Sequence, residues 1–331
     1  MKKTIFKVKQ FVCFYLTIPM FIFLLLVSGV GVMGKALIEK SPEEGFFNFM
    51  EKDGLLHSSD SIINEPTSPE GSFPIVAKDM SKDYNILNST SETIDEEELL
   101  SRSLPYKYTS DGPMVLVVHT HGSECYAEEY ESFSTADTDG YHGFYTVNSS
   151  TRSLDCDKNI VAVGEAFCKA LADAGIKSIQ SRIMHDKDDY NTAYANSRKT
   201  ILEYLKKYPT IKYVIDVHRD SLGEDGSEKI KTVASEIEGS AQVMLVAGCQ
   251  GNGVIHSNWE DNLSVNLKFK KAMDNKYPSL SRPIYLRYSR YNLDLTKGSL
   301  LLEIGTCSNT LKEAIKAAEL AGECFADMLL E

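Results

Sequence analysis

Three short stretches concentrate the ionisable groups that can do chemistry. His119-Thr120-His121-Gly122-Ser123-Glu124 follows the apolar run Met114–Val118. Asp216-Val217-His218-Arg219-Asp220 closes a second run, and Glu303 stands inside Leu301-Leu302-Glu303-Ile304-Gly305. Two imidazoles and one carboxylate are a common ligand set for a catalytic zinc, with the fourth position left to water. His121, Glu124 and His218 supply such a set. Zinc lowers the pKa of water toward ~7 and polarises a carbonyl under attack. A carboxylate outside the ligand set then serves as general base and later as acid. Glu303 suits that role, because a charge inside an apolar strand is costly unless a partner or a function holds it. H-x-x-E alone is a weak pattern, and the weight comes from three such strand ends together. His119 stays open as an alternative ligand to His121, or as a group that orients one. A strand continuing that far would put both on one face.

Cys125, beside Glu124, raises the rival of a Cys-His hydrolase, though nothing in the spacing demands it and a small buried side chain is the simpler reading. His185-Asp186 follows an apolar stretch and reads either as a cleft-lining pair or as a polar turn.

The elements that must position these groups alternate along the chain. Met114–Val118, Ile176–Ile183, Tyr213–Val217, Ala241–Ala247 and Leu300–Ile304 read as strands. Asn159–Ala174, Thr192–Tyr208, Asn258–Tyr277 and Thr310–Leu330 read as helices. Gly175 stops the first of them, and Thr310 with Glu313 makes a capping box for the last. Strand–helix alternation predicts an α/β domain with a mostly parallel sheet flanked by helices. Such sheets place their sites at the carboxyl ends of strands.

The chain has 331 residues, 35 basic and 47 acidic, for a net charge of -12. That balance argues against nucleic-acid binding, which rests on neutralising phosphates. Residues 1–34 hold four lysines and no acidic group, and Phe11–Met33 is a run of 23 uncharged positions. About 20 apolar residues span a bilayer. Lysines before the run keep that end cytoplasmic and export the remainder, so the expectation is a single-pass anchor with an extracytoplasmic domain, against the competing reading of a cleaved signal peptide, whose apolar region is usually shorter. Residues 35–111 carry 16 acidic and 7 basic side chains and weak periodicity. They read as a flexible acidic stalk, in which Ile94–Leu104 is a candidate for a helix or a docked piece. Residues 112–331 form the expected catalytic domain. Six cysteines lie outside the anchor run, without a C-x-x-C pair, too sparse for a disulfide-built scaffold.

Several segments together resemble the stage II sporulation protein P family. They are Val118–Glu124, Asp216–Ser221, Leu301–Gly305, Asn258–Leu263, Leu280–Tyr285, Tyr291–Leu295 and Asn309–Leu311, in order across residues 112–331. The resemblance implies a zinc-dependent cell-wall hydrolase with an amidase-like, zinc exopeptidase-like fold. Such an enzyme cuts the amide between N-acetylmuramic acid and the stem peptide, with endopeptidase activity on crosslinks. It implies action in forespore engulfment during sporulation, and stage II sporulation proteins D and M as partners. By position it assigns His121, Glu124 and His218 to zinc and Glu303 to acid/base catalysis, with Asp157 in reserve for Glu124. Arg219, Arg282 and Asn292 fall in family motifs and become cleft candidates, since an arginine can hold a substrate carboxylate bidentately. Readings from other classes are a non-catalytic peptidoglycan-binding scaffold with a vestigial site and the cysteine hydrolase.

Overall fold

The computed structural model describes residues 72–127, 141–146, 151–223 and 229–331. The expected membrane anchor at Phe11–Met33 lies outside them. Among the described residues no helix is long and apolar enough to cross a membrane.

A seven-stranded sheet organises the fold. Its strands are β2 (Ile86–Asn88), β3 (Val115–Val118), β5 (Ser178–Gln180), β6 (Tyr213–Asp220), β9 (Val243–Cys249), β10 (Ile284–Tyr288) and β11 (Gly298–Thr306), in the spatial order β2-β10-β9-β11-β6-β3-β5. Every neighbouring pair is parallel except β9 with β11, so the expected mostly parallel sheet is observed with one reversal. A second sheet, unanticipated from sequence, orders β4 (Tyr141–Thr146), β1 (Ser72–Lys78), β8 (Lys229–Thr232) and β7 (Leu222–Gly223).

Strand alternation divides the large sheet into two faces. Val115, Val117, Ile215, Val217, Leu300, Leu302 and Ile304 point into the main core. There they meet α2 (Ile160–Asp173), α4 (Trp259–Lys276) and α5 (Leu311–Leu330). Leu116, Val118 and Val214 point to the other face, where Ile201 of α3 (Ala193–Lys207) covers them. Helix ends fall where the sequence places them. Asn159 caps α2 through a bond from Val161 N, Gly175 follows it at φ 82°, and Thr310 with Glu313 forms the capping box of α5.

The folded part begins earlier than the expected boundary at residue 112. β1 pairs with β8, β2 pairs with β10, and Leu99 of α1 (Glu96–Ser101) is buried in the main core. Ile75 and Leu99 supply the apolar anchors that the acidic composition of this stretch masks.

Candidate active site

β11, β6 and β3 are neighbours, and their ends bring the three polar stretches together. Glu303 pairs with His218 across β11 and β6, and Val118 pairs with Asp216 across β3 and β6. Asp216, His218 and Glu303 share the α3 face, opposite the apolar core, because Ile215, Val217 and Leu302 occupy the other set of alternating positions. Beyond Glu303 the strand breaks register. Gly305 takes φ 66°, where a Cβ would crowd Asn309 Oδ1 and Ala241.

His121, Glu124 and His218 cluster there, all nearly fully buried. His218 Nδ1 lies 3.5 Å from Glu124 Oε2, and the two imidazole centroids are 5.5 Å apart. Behind each histidine stands a carboxylate. Asp216 Oδ1 is 3.1 Å from His218 Nε2, and Asp186 Oδ2 is 4.0 Å from His121 Nδ1. Neither contact has hydrogen-bond alignment: His121 Nδ1 and His218 Nε2, like Glu303 Oε2, are buried without a hydrogen-bond partner. Unpaired buried polar atoms are costly and call for an explanation.

The charges are strongly perturbed. Burial would raise the Glu124 carboxyl, but Arg219, His218 and His121 hold it well below the usual carboxylate range. Burial opposes charge on His218, yet Asp216 and Glu124 outweigh it and lift its pKa well above the ordinary value. Burial pushes His121 down to about 4. It pushes Glu303 up to about 8, with Asp220 and Glu124 adding to the effect against His218 and Arg219. Glu303 therefore carries a proton near neutrality in the metal-free protein, a setting that fits a general acid or base.

The donor set fits zinc in its chemistry: two imidazoles, one ionised carboxylate and a separate half-buried carboxyl whose Oε2 is shielded from solvent. As the side chains stand, no three His, Cys, Asp or Glu among the described residues are disposed to hold a metal, so an ion would have to draw them inward. His218 would also have to give up its proton.

The other sequence candidates separate. β3 stops at Val118, so His119 and His121 part company. The His119 ring packs on Gly164 of α2, with Nδ1 3.3 Å from Val217 O and Nε2 3.0 Å from Gln180 Nε2. Asp157 is exposed and pairs with Arg182 at 3.8 Å. Arg219 and Arg282, expected as substrate-binding arms, are buried against the protein's own groups. Arg219 donates to the carbonyls of Cys125, Asp220 and Thr151, and Arg282 donates to Asp220 Oδ2 at 2.7 Å. Their contacts position Glu124 and Asp220. Asn292 anchors a turn, donating to Tyr194 O and Ser197 Oγ. Burial pushes the Cys125 thiol up, which disfavours the thiolate a cysteine nucleophile needs. His185 bonds His119 O and Thr200 Oγ1, as a structural turn does.

Sequence reasoning missed the aromatic wall. Tyr190 stacks on His121 at 4.2 Å, Tyr194 meets His121 edge-on at 5.6 Å, and Tyr291 lies 5.7 Å from Tyr194. The Tyr190-x-x-x-Tyr194 spacing, which puts two rings on one side of a helical turn, was the available signal. Asp216, two residues before His218 on the same strand face, was another.

The stage II sporulation protein P (SpoIIP) family model matches residues 53–326, and the chain belongs to that family. It is 29% identical over 237 residues to the stage II sporulation protein P of Bacillus subtilis (strain 168), covering 68% of this chain and 53% of that protein. The chain thus spans about half the length of the curated relative it matches. Among solved structures it is similar to the N-acetylmuramoyl-L-alanine amidase AmiC2 of Nostoc punctiforme (11% identity, TM-score 0.37, covering 66% of this chain and 96% of that one). It is also similar to the CwlD amidase of Clostridioides difficile, solved in complex with the GerS lipoprotein (12% identity, TM-score 0.35, 66% and 94%). These likenesses are loose, and the chemistry of the site rests on this chain's own residues.

Proposed function

We propose that the chain is a zinc-dependent peptidoglycan hydrolase that cuts the amide between N-acetylmuramic acid and the stem peptide, with endopeptidase activity on crosslinks, in the wall remodelling of engulfment. The observation that carries the reading is the meeting of His121, Glu124, His218 and Glu303 on one face of the sheet, with Glu303 Oε2 buried and unpartnered. Family membership supports the wall-directed role in sporulation.

In this reading His121, Glu124 and His218 hold zinc, which supplies a Lewis acid and an acidified water. Asp216 and Asp186, which stand behind the two imidazoles at ion-pair distance, would orient them once zinc is bound. Arg219 keeps Glu124 ionised. With zinc beside it the Glu303 carboxyl would ionise, accept the proton of the attacking water and return it to the leaving nitrogen. The N-terminal run Phe11–Met33 anchors the chain, the domain faces the extracytoplasmic space, and stage II sporulation proteins D and M are the expected partners.

The test is to incubate the purified protein with peptidoglycan sacculi and identify the soluble fragments by mass spectrometry. Free stem peptides with intact glycan are the predicted product, and shortened crosslinked peptides would register the second activity. Sacculi bound without any release would favour the scaffold reading.

A further inference from the structure

The arginines with readily assigned roles are spoken for. Among the described residues Arg102, Arg152, Arg182, Arg198, Arg219, Arg282 and Arg290 each have a carboxylate within ion-pair distance. Arg287 has none. It is half-buried near the end of β10, and its guanidinium carbon lies 5.5 Å from the Tyr285 ring centroid. A half-buried cation without an anionic partner is a site that a ligand anion can complete.

Register places Arg287 on the chemical face of the sheet. Ile284 and Leu286 point into the main core, so Tyr285 and Arg287 point the other way. Tyr285 pairs with Val246 and Arg287 with Gly248, while Glu303 pairs with Met244. Arg287 is thus two strands across and four residues along from Glu303, on the order of 16 Å between Cα atoms. After the reach of both side chains, two to three residues of extended peptide fill the remaining gap at ~3.3 Å each.

Tyr291 lies within electrostatic reach of both ends. Burial raises its phenol, Arg287 pulls it down, and Glu303 adds to the rise. Tyr291 and Asn292 both take left-handed φ values, 47° and 59°. Non-glycine residues hold such values at a cost, which here fixes Tyr291 beside Tyr194 at the site.

We propose that Arg287 binds a carboxylate of the substrate's stem peptide, two to three residues from the amide that is cut. This rests on the hydrolase reading above. It moves the carboxylate-binding role from Arg219 and Arg282, which are engaged internally, to the arginine that is not.

The experiment uses the full chain and two soluble muropeptides that differ only in whether a stem-peptide carboxylate is free or amidated. Wild type is expected to favour the free form by about 10- to 100-fold in kcat/KM, the scale of one charge-assisted contact. Arg287→Ala should abolish that preference through KM while leaving cleavage of the amidated form unchanged, and Arg287→Lys should recover part of it. Arg287→Gln, which keeps the side-chain stem over Tyr285, carries the same expectation if the alanine variant is unstable. An active wild type whose preference survives in both neutral variants overturns the inference alone. A wild type that cleaves neither muropeptide overturns the hydrolase reading, and the inference with it.

Discussion

The two faces of the large sheet are built from the same strands yet obey opposite rules. On one, Val115, Val117, Ile215, Val217, Leu300 and Leu302 are sealed beneath α2, α4 and α5 without a polar atom among them. On the other, one residue out of step, stand Asp216, His218 and Glu303, with buried polar atoms left unpaired. A period of two lets a strand such as Leu301-Leu302-Glu303-Ile304 serve both ends at once. Stability is concentrated on the apolar side, and the opposite side can keep ionisable groups in costly states that chemistry needs.

Substitutions on each face should therefore separate activity from stability. The largest effect belongs to Glu303→Gln, which should lower wall hydrolysis by about 10²–10⁴-fold in a fragment-release assay. Its stability should change in the opposite sense. A carboxyl whose folded pKa is raised from 4.5 to about 8 makes the metal-free chain lose stability as pH rises through that window, because the unfolded state releases its proton first. Urea titrations at several pH values should show a steeper fall in wild type than in the Gln variant, where only the raised His218 still contributes.

Next comes Leu302→Ala, one position away on the apolar face. It should cost about 2–5 kcal/mol in unfolding free energy, measured by urea denaturation, and leave kcat nearly unchanged in the molecules that remain folded. Asp216→Asn tests the polar face more gently. Losing the carboxylate behind His218 should weaken zinc affinity about 10–100-fold in competition with a chelator. The smallest effect is Thr310→Ala. Removing the cap that accepts from Glu313 N should destabilise the chain by ~1 kcal/mol in thermal unfolding, without altering zinc binding.

The apolar face was the more legible in sequence. Its helices declare themselves by periodicity and by local caps at Asn159, Gly175 and Thr310, which depend on neighbours in the chain. The three polar strand ends were also legible, because a charge within an apolar run is conspicuous. What stayed hidden depends on distant partners. Nothing local says that Arg282 meets Asp220, that Tyr190 covers His121, or that β3 ends before His119 and turns that ring toward Gly164. The small sheet escaped for a related reason. β1 lies in an acidic stretch, and its pairings with β4 and β8 join segments far apart in sequence.

The most direct test of the polar face as a metal-supported hydrolytic centre is one titration on the purified full chain. Metal content and release of stem peptides from sacculi are measured together, before and after a chelator and again after zinc is restored. One zinc per chain is predicted, with hydrolysis lost on stripping and regained on reloading. Hydrolysis that continues at the original rate in metal-stripped protein would contradict the account.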